Sequence, residues 1–146
     1  VSKYLDTRLA AIDKLVVDLQ TRFCDLDGFG HVNNAVYLSY LEIARIEYIR
    51  RVLKIKKLSD ITVIVARCEI DFRAPARLED ELVVGTRLSK LGNSSFIMDY
   101  KIVEKNSDRL FAEAKTVMVC FDYKLNKVIR MPAQHREVMR SYDVLA

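Results

Sequence analysis

The stretch of the chain best equipped for chemistry is D-L-D-G-F-G-H-V-N-N-A-V-Y, running from Asp25 to Tyr37. It carries two carboxylates, and a carboxylate can attack an acyl carbon or draw a proton from water. His31 adds an imidazole, a side chain that can take up or give a proton. Gly30 permits a positive φ or the close approach of a bound group. From Asn34 onward the pattern turns helical, and Asn33 or Asn34 suits the N-cap. A helix start gathers unpaired N–H groups and a partial positive charge. Asp27 is therefore a candidate base or nucleophile beside donors that can hold developing negative charge. By spacing alone, Asp27 is equally well accounted for as an Asx-turn acid that stabilises the bend. Asp25 reads as structural, orienting the loop.

The elements around this stretch follow from periodicity. Lys14 to Cys24 reads as a first strand, broken by Asp25-Leu26-Asp27-Gly28. The helix spans Asn34 to about Leu53, with Tyr37, Leu41, Ala44, Tyr48 and Val52 on one stripe, and is apolar enough to be buried on most sides. Ile61 to Arg73 alternates, with Ile64, Ala66, Cys68, Ile70 and Phe72 on one face. Pro75 then marks an edge, bend or strand end. Glu81 to Leu88 and Ser95 to Glu104 flank a Gly92-Asn93 hairpin turn, and Phe96, Met98, Tyr100 and Ile102 point inward. Arg109 to Tyr123 is a long strand with a small face (Ala112, Ala114, Thr116). Pro132 to Tyr142 reads as a closing helix, and Val1 to Lys14 as a short helix or an extended arm. One strand, one buried helix and four strands in meander order predict an α+β fold, a curved antiparallel sheet wrapping a central helix.

At 146 residues the chain is expected to form a single domain over 1–146, with 1–14 an N-terminal arm and 132–146 a C-terminal helix or tail. A hydrophobic share of 51% with 30% charged residues fits a soluble globular protein. The net charge of +4 suits an anionic ligand, but the basic residues are scattered, which argues against nucleic acid. Cys24, Cys68 and Cys120 form no C-x-x-C and read as free thiols packed in the core, so the expected setting is cytoplasmic or an organelle interior. No apolar run approaches a membrane span.

The run from Asp25 to Tyr37, followed by L-E-I-A-R-I-E-Y, resembles the 4-hydroxybenzoyl-CoA thioesterase-like branch of the hotdog-fold superfamily. Its G-H-V-N-N variant is similar to long-chain acyl-CoA and plant acyl-ACP thioesterases. The resemblance implies a five-stranded hotdog sheet and hydrolysis of acyl thioesters, with fatty acyl-CoA the favoured substrate. It puts Asp27 on the catalytic carboxylate and the Asn34 backbone N–H where the thioester carbonyl is polarised. Coenzyme A enters only as part of the substrate, and no other cofactor is expected. The resemblance also implies a homodimer or homotetramer, with the Ile61–Phe72 strand at a sheet edge. An acyl-ACP thioesterase and a hotdog protein that binds thioesters without cleaving them are the alternatives. A dehydratase is disfavoured, because G-H-V-N-N-A-V replaces the proline-bearing motif of that class.

The remaining candidates carry weaker signals. His31 is assigned to loop structure or substrate contact ahead of catalysis. Gly30, Asn33 and Tyr37 join it as candidate substrate contacts. For coenzyme A phosphates the candidates are Arg73, Arg77, Lys90 and the turn containing Gly92, Ser94 and Ser95. Glu42 and Arg45 have the i,i+3 spacing of an ion pair. His135 is expected at the surface. With two histidines far apart and no spaced cysteines, no metal site is expected.

Overall fold

The computed structural model describes residues 15–107 and 109–143. The expected N-terminal arm and the last residues of the tail lie outside the described residues. The strands are β1 (Leu15–Leu19), β2 (Val63–Phe72), β3 (Leu82–Leu91), β4 (Ser95–Glu104), β5 (Leu110–Asp122) and the two-residue β6 (Lys127–Val128). The helices are α1 (Val36–Val52) and α2 (Ala133–Asp143). All pairings are antiparallel, in the order β1-β3-β4-β5-β2, with β6 alongside β5. Among the described residues the sheet thus has six strands, the expected five plus β6. The meander holds for β3, β4 and β5, whereas β2 pairs with β5 and lies at the edge.

α1 lies over β1 and β3. Tyr37, Leu41, Ala44, Tyr48 and Val52 face the core, together with Leu82, Val84 and Leu88 of β3 and Phe96, Met98, Tyr100 and Ile102 of β4. The helix is open on its far side, where Leu38, Ile43 and Ile46 remain exposed. That differs from the burial expected on most sides.

Two boundaries differ for local reasons. β1 stops at Leu19 instead of reaching Cys24, and Phe23–Asp25 form a 3-10 turn. Asp25 makes that turn by accepting the Arg22 N–H at 2.9 Å and the Arg22 guanidinium at 3.0 Å. In β2 the register slips between Val65 and Arg67, a bulge at Ala66. A one-residue bulge exchanges the two faces of a strand. Val63 and Val65 oppose Cys120 and Met118, which are buried, so the inner face reads Val63, Val65, Cys68, Ile70, Phe72. Ile64 and Ala66 do not share it. The cysteines are free, but only Cys120 is buried; Cys68 is half-buried and Cys24 exposed, so core packing fails for Cys24.

Candidate active site

The segment from Asp25 to Asn33 is a miniature hairpin. Asn33 N–H donates to the Asp25 carbonyl at 2.8 Å, and Asp27 N–H donates to the His31 carbonyl at 2.8 Å. A bridge joins Leu26 to Val32 between these rungs. The tip turns on Gly30, whose φ of +79° is left-handed backbone that glycine adopts without strain. A side chain at Gly30 would meet open space, so conformation and not crowding requires glycine.

Asp27 sits inside this turn. Its Oδ1 accepts the Phe29 N–H at 2.8 Å and the His31 N–H at 3.3 Å. The Asx-turn reading is therefore realised, and it uses only one carboxylate oxygen. Among the described residues Oδ2 accepts no hydrogen bond. Asp27, His31 and Asn34 line an open cleft of about 260 Å³ with Val32, Tyr37, Phe72, Arg73, Ala74 and Pro75.

The helix start lines the same cleft through Asn34 and Tyr37. The N-cap residue is Ala35, not Asn33 or Asn34. Asn33 acts one step earlier, its Oδ1 accepting the Ala35 N–H at 2.9 Å and its carbonyl the Val36 N–H at 2.9 Å. Among the described residues the Asn34 N–H meets no acceptor, so it is available to a bound oxygen. The arrangement offers a carboxylate oxygen and a backbone donor to one cleft, the pair that addition to a carbonyl requires.

Tyr37, only 2% exposed, lies at the cleft floor and meets the Phe72 ring edge-on at 5.1 Å between centroids. Burial raises the Tyr37 hydroxyl above the ordinary tyrosine range, so it stays protonated. The Arg73–Pro75 wall is pinned to β5, since Arg73 and Ala74 N–H both donate to the Phe111 carbonyl. Ala76, fully buried, accepts the Val32 N–H at 2.8 Å and so fixes that wall to the hairpin.

The other candidates separate. Arg73 lines the cleft but is engaged by Glu113 at 3.1 Å and Asp71 at 3.6 Å. Gly30 and Asn33 shape the cleft from behind, outside its lining. Arg77 is exposed in the turn it closes with Asp80. Lys90, Gly92, Ser94 and Ser95 lie at the other end of the sheet, beside the Val63 end of β2. β2 runs ten residues from Val63 to Phe72, so the two ends lie roughly 30 Å apart at the usual strand rise. Within one chain the Gly92–Ser95 turn cannot reach the cleft. It is also tied down, with the Gly92, Asn93 and Ser94 carbonyls accepting from Arg136, Met131 and Cys120.

Glu42 and Arg45 form the expected ion pair, at 3.8 Å. His135 is half-buried, lining a pocket with Ile49, Phe96 and Met139, so the expected surface position holds only in part. Among the described residues no group of three or more His, Cys, Asp and Glu side chains could hold a metal.

Sequence reasoning missed Tyr40. Its hydroxyl donates to Asp25 Oδ2 at 3.0 Å, and Asp25 is only 2% exposed. Burial opposes the charge on Asp25, yet hydrogen bonds from Arg22 and Tyr40 win and hold the carboxyl below its ordinary range. Nothing in the spacing of Asp25 and Tyr40 announced the contact, because it joins a loop to the second turn of a helix.

Asp25 in this loop and Glu47 on α1 give a pH prediction. Asp25 stabilises the fold above its unfolded value of 3.8, and that contribution is lost as pH falls through its lower folded value. Glu47, hydrogen-bonded by Arg50 and Arg51, is held down to about 2 from 4.5 despite some burial. Its contribution is present above 4.5 and is lost as pH falls towards about 2. Thermal melts should drop most steeply below pH 4.5, and Glu47→Gln should flatten that limb. An equal loss of Tm by Glu47→Gln at neutral pH and at about pH 2.5 would contradict the assignment.

A curved antiparallel sheet around one helix, with a carboxylate loop feeding the helix start, defines the hotdog class of thioesterases. The chain belongs to the thioesterase-like superfamily, whose family model matches residues 21–140, and it is a hydrolase of that class. It is 31% identical over 121 residues to the long-chain acyl-CoA thioesterase FadM of Escherichia coli, covering 82% of this chain and 92% of that protein. It is 30% identical over 123 residues to the chloroplastic acyl-acyl carrier protein thioesterase ATL3 of Arabidopsis thaliana, covering 82% of this chain and 64% of that one. A thioesterase from Thermus thermophilus, solved with coenzyme A and zinc, superposes with a TM-score of 0.81 at 35% identity. That match covers 92% of this chain and 98% of the other.

Proposed function

We propose that the chain hydrolyses acyl-CoA thioesters, with fatty acyl groups preferred, releasing the free acid and coenzyme A. The observation that carries this reading is one cleft lined both by Asp27, whose Oδ2 accepts no hydrogen bond among the described residues, and by Asn34, whose N–H meets no acceptor there. As base, Asp27 takes a proton from water while the oxygen adds to the thioester carbon; as nucleophile, Oδ2 adds directly and water cleaves the resulting anhydride. In both routes the Asn34 N–H holds the oxyanion, and collapse expels the coenzyme A thiolate. FadM supports coenzyme A as carrier and a long acyl chain. ATL3 supports the second reading, acyl carrier protein as carrier. Three free cysteines suit a reducing, cytoplasmic setting.

Free-thiol release across acyl-CoA chain lengths, repeated with the same acyl groups on acyl carrier protein, tests the reading. Preference for long acyl-CoA supports it; preference for the protein carrier moves the chain to the second reading. His31→Ala should cost less turnover than Asp27→Asn. The imidazole lines the cleft, but the contacts of His31 to Asp27 are made by its backbone, which alanine keeps. An equal or larger loss with unchanged circular dichroism would reverse that ranking.

A further inference from the structure

Asp27 and the Asn34 N–H belong to different structural units. Asp27 rides on the Asp25–Asn33 hairpin, and Asn34 leads into α1. Addition to a carbonyl needs the two held in one geometry, and a displacement of about 1 Å can cost on the order of a hundredfold in rate. The hairpin tip is exposed, with Phe29 85% accessible, so the tip does not hold the posture. The base does. There the Asp25 carboxylate accepts Tyr40 Oη at 3.0 Å, while the Asp25 carbonyl accepts the Asn33 N–H at 2.8 Å. Tyr40 is a buried α1 residue, and burial pushes its hydroxyl up to about 12, so it remains a donor throughout the working pH range. Asp25 is also held by Arg22, which precedes the hairpin, so Tyr40 is its side-chain link to the helix.

We propose that Tyr40 is a positioning residue for the reaction: its hydroxyl ties the hairpin that carries Asp27 to the helix whose start presents the Asn34 N–H. This rests on the proposed thioesterase reading and goes beyond it by assigning a residue that does not line the cleft. Tyr40→Phe removes one oxygen and leaves the buried ring, so the core stays filled. The expected result is a fall in kcat of about tenfold with KM within about twofold, since the reacting geometry is disturbed and the binding walls are not. Amide exchange at Asp27 and Asn33 should quicken, while the β3 and β4 amides keep their protection. In an Asp25→Ala background, which takes away the acceptor of the Tyr40 hydroxyl, the further change to Phe should cost little, because the two act as one unit. Unchanged kcat, a uniform loss of protection across the sheet, or fully additive effects would overturn the assignment. Amide exchange also separates the two ideas. A wild-type chain without turnover would sink the proposed function, and unchanged exchange at Asp27 in Tyr40→Phe would sink the link whatever the turnover.

Discussion

Asp27→Asn should lower kcat by about 10²–10⁴-fold while leaving the fold and ligand affinity nearly unchanged. The amide keeps an Oδ1, which can still accept the Phe29 and His31 N–H groups that shape the turn. What it loses is the negative charge and the basicity of Oδ2, the oxygen that accepts no hydrogen bond among the described residues. The substitution therefore separates the structural task of this residue from the chemical one. Asp27→Ala would remove both, and should add a stability loss of about 1 kcal/mol for the lost turn contacts. Steady-state thiol release with a melting curve on each variant checks the contrast. Near wild-type turnover in Asp27→Asn would remove Asp27 from the chemistry.

The second large effect concerns assembly. β2 is an edge strand of ten residues, and its outer backbone groups pair with no strand among the described residues. Soluble proteins cover or pair such an edge. Charges on Arg67, Glu69, Asp71 and Arg73 and the bulge at Ala66 blunt it to a degree. Against this, Ile64, Val65 and Phe72 of β2 and Leu38, Ile43 and Ile46 of α1 are all exposed, apolar side chains that a second copy could cover. We propose that two copies pair their β2 strands antiparallel about a two-fold axis, an isologous contact. That pairing would lay the Val63 end of one β2 beside the Phe72 end of the other. The Gly92–Ser95 turn, which cannot reach the cleft of its own chain, would then approach that of the second copy. Light scattering should give at least twice the 16.9 kDa chain mass at micromolar concentration. A charge placed at the edge, Ile64→Lys, should yield monomers with most activity lost. A fully active monomer would contradict both the pairing and a shared site.

The particular residues explain how far the sequence was legible. The inward set on β4 was readable because Phe96, Met98, Tyr100 and Ile102 recur at every second position with the charged Asp99 and Lys101 between the last three. β2 was not, since Val63, Ile64, Val65 and Ala66 are apolar at both parities, so nothing marks which face a bulge will choose. The D-x-D pair showed that a loop must follow β1, but which carboxylate would be buried depended on Tyr40 and Arg22, a tertiary contact and a local turn. Lys90, Gly92, Ser94 and Ser95 were placed near the substrate by resemblance, and the strand register sets them at the far end of their own chain. A single sequence does not distinguish a site built within one chain from one that needs a second copy. Tyr37 and Arg73 were both found on the cleft wall, though Arg73 already has two carboxylate partners.

We propose that this cleft cleaves the thioester it binds. The most direct measurement follows one long-chain acyl-CoA mixed in excess with the wild-type protein, counting free thiol and free acid against the active chains. Equal release of thiol and acid through many turnovers is expected, abolished in Asp27→Asn while the ligand still binds. Stoichiometric binding with the acyl-CoA recovered intact from the wild-type protein would contradict it and leave a thioester-binding protein in its place.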